Sequence, residues 1–202
     1  MPNEIIITDD NDITITDHTN TDVTTVTADS SVASIYGTLR DLDAAEGTWN
    51  DWTGRIQRTY TWDIPAMETV LAEFDKFMED QAPALIQKIT NACRPSTAIQ
   101  QAAFILTTLA SFPTMAKGNK TVILSALREE LAYMQPSQAV LAIAYRRIIR
   151  EFVEYPPSIG AILAELKEAE FREELYRTPV ATSFANDLRK TLQDRREMSD
   201  ED

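Results

Sequence analysis

Histidine is the side chain most often recruited to move protons at neutral pH. This chain has one, His18, set in an N-terminal stretch of Thr, Asp and Asn. A Ser–His or Cys–His nucleophile pair would have to be built on that residue. The single cysteine, Cys93, reads as a small apolar packing residue, because only Arg94 beside it would lower its pKa. One Cys and one His do not make a zinc site. The segment Lys117-Gly118-Asn119-Lys120-Thr121 lacks the upstream glycine and the spacing of a phosphate loop. Glu165, Glu168, Glu170, Glu173 and Glu174 form a dense carboxylate group that could in principle hold a divalent ion. Lys167 and Arg172 interleave with them, and Glu168 and Arg172 stand at i,i+4. A solvated, salt-bridged helix face accounts for this group better than a divalent-ion site. The expectation is therefore a chain that is not an enzyme and that uses no metal or cofactor.

Two other sets of residues fit binding. All three tryptophans, Trp49, Trp52 and Trp62, fall within fourteen residues, and Tyr155 precedes a Pro-Pro pair. Trp and Tyr dominate the energetic centres of interfaces, so these four are the candidate protein-binding anchors; core packing is the competing account of the tryptophans. Arg146, Arg147 and Arg150 lie close together, as do Arg189, Lys190, Arg195 and Arg196. Nucleic acid needs such concentrated charge on one surface. Glu151, Glu154, Asp187, Asp194 and Glu197 are interleaved with it, which favours internal salt bridges. Arg146, Arg147, Arg150, Arg189 and Lys190 are retained as contacts for weak or indirect binding to DNA.

The location of charge sharpens this. The formal charge is −13. Seven acids precede the first basic residue, Arg40, and Asp200, Glu201 and Asp202 close the chain. The body between is nearly neutral, so the negative charge is not spread over a folded surface as a DNA mimic would need. No stretch of about 18 apolar residues exists, which predicts no membrane span. The start carries no basic residue ahead of Ile5-Ile6-Ile7, unlike a secretory signal. With the lone cysteine, this points to a cytoplasmic protein.

The elements that must carry these residues follow from periodicity. Residues 1–30 lack aromatics and are expected to be a disordered acidic arm. Ile13-Thr14-Ile15-Thr16 is the stretch there that alternates as a strand would. Residues 31–63 are read as a strap: a short helix over Val32–Glu46, capped by Ser30 or Ser31, then an irregular Trp-bearing segment. Residues 64–197 read as a helical body. Asp63 and Pro65 start a helix running to Met78, and Pro83 opens another to Ala92. The segment from Thr97 to Ser111 is apolar on nearly every side, which places it at the centre. Further helices are predicted at 120–134, with Leu124, Leu127, Leu131 and Met134 as one stripe, and at 138–153, with Leu141, Tyr145, Ile148 and Phe152. Another follows Ser158 to about Arg177, with Ile159, Ile162, Leu163, Leu166 and Ala169, and a charged one spans 180–196. Residues 198–202 form an acidic tail. The predicted fold is all-α, an irregular array of about six to seven helices in a single domain over 31–197.

The stretch from Phe112 to Leu166 adds a resemblance. It runs Phe-Pro, a loop, a helix with Leu127 and Leu131, Pro136, a helix ending in Phe152, then Tyr155-Pro156-Pro157-Ser158-Ile159 opening another helix. This is similar to small helical proteins of phage and prophage replication modules, in particular the phage helicase loader/inhibitor family. An aromatic-Pro-Pro-Ser/Thr-Ile element begins a late helix there. The resemblance implies a non-enzymatic accessory protein that binds a replicative helicase or its loader in the cytoplasm of a bacterial host. The alternative reading is a phage structural, assembly or scaffolding protein with the acidic arm as a tether.

Overall fold

The computed structural model describes residues 4–7, 13–16, 23–26, 28–112, 120–153, 155–177 and 180–200. His18, Glu154, the turn expected at 117–119 and the break expected at 178–179 lie outside them. The described body is all-α. Its helices are α1 (Ala28–Thr59), α2 (Ile64–Asp80), α3 (Ala82–Ala92), α4 (Ala98–Ser111), α5 (Lys120–Met134), α6 (Gln138–Glu151), α7 (Ile159–Arg177) and α8 (Val180–Asp200). Gln81 alone separates α2 from α3. Ahead of α1, three short strands are described: β1 (Glu4–Ile7), β2 (Ile13–Thr16) and β3 (Val23–Val26). They pair antiparallel in sequence order. The register sets Ile5 opposite Ile15 and Ile7 opposite Ile13, so β-branched residues meet across the first pair.

The 31–63 strap is corrected. α1 begins at Ala28, so Ser30 and Ser31 lie inside it rather than capping it, and it continues past Glu46 to Thr59. The physical reason is a continuous apolar stripe. Ile35, Leu39, Leu42, Ala45, Trp49 and Ile56 are all buried, at helical spacings. Gly47 and Gly54 do not end the helix. At the far end, α8 carries the chain to Asp200, so the acidic tail begins inside a helix.

The chain groups into two compact units rather than one domain. One comprises Met1–Arg40 with Ala92–Glu173, the other Asp41–Asn91 with Glu174–Asp202. In the first unit α4 is the central rod, as expected. Every residue from Ala102 to Leu109 is buried, and α4 packs on both α5 and α6. Thr97 and Gln100 form a reciprocal capping box at its start. The loops before α4 and α6 are laced together. Pro95 and Ser137 form a β-bridge, and the Ser96 amide and hydroxyl both donate to the Pro136 carbonyl, at 2.9 and 2.6 Å. Gln135 takes a φ of 48° to make that turn, a left-handed conformation that a non-glycine residue adopts only with local support. α4 and α6 therefore set out from the same end.

In the second unit α2 starts as expected. Asp63 accepts from the Ala66 amide at 2.9 Å, and Pro65 occupies the first turn. α2 packs against α8, and Arg189–Asp75 and Arg196–Glu68 ion pairs join the two helices.

Candidate interaction surface

The structure separates the four candidate aromatic anchors. Trp49 is withdrawn from the binding surface: it is 7% exposed, on the buried stripe of α1, with its ring edge-on to Phe77. Trp52 is half-buried, packed on Phe74 and Phe77, and the Arg55 guanidinium lies over its ring at 4.3 Å. The cation–π contact lies within α1; the Arg55–Glu73 ion pair and the stacking of Trp52 on Phe74 and Phe77 tie α1 to α2. The first two tryptophans are thus core anchors of the second unit. Trp62 is partly exposed in the turn between α1 and α2.

Tyr155 is different. α6 ends at Glu151, two residues before the predicted Val153. Phe152 caps it, with its amide donating to the Ile148 carbonyl at 3.1 Å. The chain then turns out. Val153 is 78% exposed and Tyr155 76% exposed. Pro156 is exposed and Pro157 buried, so the second proline pins the turn to the protein. Ser158 caps α7 as expected, accepting from the Ala161 amide at 3.1 Å. An aliphatic and an aromatic side chain, Val153 and Tyr155, are thereby presented to solvent between the end of α6 and the start of α7.

The basic candidates divide in the same way. Arg147 is half-buried and paired with Glu165 at 2.5 Å, which joins α6 to α7. Arg146 is also half-buried, while Arg150 is exposed beside the Val153–Tyr155 turn in sequence. On α8, Arg189 binds Asp75 and also donates to Asn186 at 2.8 Å, and Lys190 is exposed. The salt-bridged account thus fits Arg147 and Arg189. Reading the sequence missed the task of Arg195, which donates to the Trp62 and Tyr60 carbonyls at 2.6 and 2.9 Å. These carbonyls follow the end of α1, where backbone acceptors lose their helical partners. No local pattern announces a contact across that sequence separation.

The carboxylates of α7 are dispersed in role. Glu165 serves Arg147, Glu168 pairs with Arg172 at 3.2 Å, and Glu173 is buried. Among the described residues no group of three or more His, Cys, Asp or Glu is arranged to hold a metal ion. Cys93 is buried, in keeping with a packing role. Two tyrosines hold their protons more firmly than usual. Burial raises Tyr145, which shares a 3.0 Å hydrogen bond with Ser111. Burial and then the charge of Asp187 raise Tyr60, whose hydroxyl donates to the Phe184 carbonyl at 3.0 Å. No helix among the described residues is long and apolar enough to cross a membrane. No family model, curated protein or solved structure matches the chain.

Proposed function

We propose that this protein is a non-enzymatic accessory protein of phage or prophage type that binds a replication component, the replicative helicase or its loader. The observation that supports it is the exposure of Val153 and Tyr155 between the C-cap Phe152 of α6 and the N-cap Ser158 of α7. The same Tyr-Pro-Pro-Ser-Ile element carries the resemblance to helicase loader/inhibitor proteins. DNA contact in this reading is weak or indirect, since Arg147 and Arg189 already have acidic partners.

The test is co-elution of the full chain with a purified bacterial replicative helicase, followed by affinity measurement. The expected result is a complex that Tyr155→Ala weakens on the order of tenfold or more, as for an interface anchor. Tyr155 is exposed, so the variant should fold normally. No binding to helicase or loader, or binding indifferent to Tyr155 and to Val153→Asp, overturns the proposal.

A further inference from the structure

The three short strands ahead of α1 pair in the order β1-β2-β3. β3 leads into α1 after one residue and touches α4. β1 is therefore the outer strand. Among the described residues it pairs on one side only, with β2. The backbone amides and carbonyls along its other side form an open edge, which is a template for one more strand. A sheet of three four-residue strands is also marginal in water. A fourth strand adds main-chain hydrogen bonds along the side that has none.

Register and charge together define what fits that edge. Ile5, Ile7, Ile13, Ile15 and Val26 hold positions on one face of the sheet. Thr14, Thr16 and Thr25 hold positions on the other, with Glu4, Ile6 and Val23. A strand that alternates Val or Ile with Thr continues both faces without a break.

The charge around the edge has one sign. Glu4 begins β1, level with Thr16, and the connection that leaves Thr16 carries Asp17 and Asp22. The connection that leaves the opposite end of β1, after Ile7, carries Asp9, Asp10 and Asp12. No basic residue precedes Arg40. Both ends of the edge are therefore acidic. A second copy of β1 would bring the same acids against them, and nucleic acid would bring phosphates. Both are repelled.

We infer that β1 accepts, by strand addition, an extended segment of a partner protein. In that segment apolar β-branched residues alternate with Thr, and Lys or Arg flanks each end. The inference does not rest on the helicase reading. Main-chain hydrogen bonds supply the pairing and the alternate side chains supply the register. The flanking charges select the partner.

The test uses the full chain and a labelled synthetic peptide, Val-Thr-Val-Thr-Val with two lysines at each end. Fluorescence anisotropy measures its affinity, and the amide resonances of residues 4–7 locate it. The expected result is saturable binding that shifts those resonances and weakens as salt is raised. Replacing the lysines by glutamates should weaken it by at least about tenfold. Methylating the central amides should abolish it, since this keeps the charge and side chains and removes the donors. Ile6→Pro interrupts β1 and should abolish it too, with the far-ultraviolet circular dichroism of the helices unchanged. A lysine peptide that does not bind overturns the inference. Equal binding of the methylated peptide, or equal binding to Ile6→Pro, also overturns it, because the contact is then charge alone or lies elsewhere. Equal binding of the glutamate peptide rules out a basic partner. A dimer of the chain alone that Ile6→Pro dissolves would give the edge to a second copy and overturn the choice of occupant.

Discussion

Two neighbouring tryptophans show what residue type alone conveys. Trp49 and Trp52 were grouped with Trp62 by composition, but Trp49 is in the core and Trp52 half-buried on Phe74 and Phe77. An amphipathic ring serves a core and an interface equally well, so its type cannot say which. The exposure of Tyr155 accords with the prolines at 156 and 157, which keep it out of a helix interior. The exposure of Val153 was not legible, because a valine at a helix end reads as one more buried position. The two tyrosines with raised pKa values yield a prediction at this scale. The folded state holds their protons above the ordinary tyrosine value near 10. It therefore binds more protons than the unfolded chain once the pH passes about 10, and stability falls from there upward. Below that point the two groups make stability independent of pH. Tyr145→Phe removes one contribution, so alkaline melting curves of that variant should decline less steeply than those of the parent. An equal slope would assign the alkaline loss to other groups.

At the scale of elements, helix starts were the most legible features. Asp63, Ser137 and Ser158 each cap the helix they precede, because a short side-chain acceptor before an apolar period satisfies orphan amides in one way; α4 is capped by Thr97 rather than by the expected Ser96, whose hydroxyl donates to the Pro136 carbonyl instead. α1 was misjudged where its glycines and tryptophans interrupt the familiar pattern. The stripe from Ile35 to Ile56 keeps helical spacing through them, and tertiary burial overrides the weak local propensity. Gly47 gives a direct check. It lies exposed in the helix, and an added Cβ would meet nothing within 4 Å. Gly47→Ala should therefore stabilise the protein by about 0.5–1 kcal/mol, through helix propensity and a less flexible unfolded chain. Chemical denaturation measures it. A destabilised variant would mean that residue 47 is not in a regular helix.

At the scale of the molecule, the all-α class was readable from apolar periods and short connections, but the grouping into two units was not. That grouping depends on which distant segments meet, and helical periods carry no such information. The divisions fall within α1, at the end of α3 and within α7. Each unit is thus built from separated stretches of chain. Cutting the protein between Asn91 and Ala92 takes Ile35 and Leu39 away from α4 to α6, and takes α8 away from α2. Neither fragment, 1–91 or 92–202, should show the cooperative melting transition of the whole chain by circular dichroism. A sharp transition in either alone would show that its part of a unit is self-sufficient.

The interleaving also bears on how the polypeptide is made. As the ribosome releases it from the N-terminus, α1 appears with neither of its packing surfaces. The first unit has all its parts only when Glu173 has emerged, and the second only with α8. At roughly 5–20 residues per second, the nascent chain spends on the order of ten seconds with the apolar stripe of α1 uncovered. During that interval the stripe presents the kind of exposed apolar surface that holdase chaperones cover.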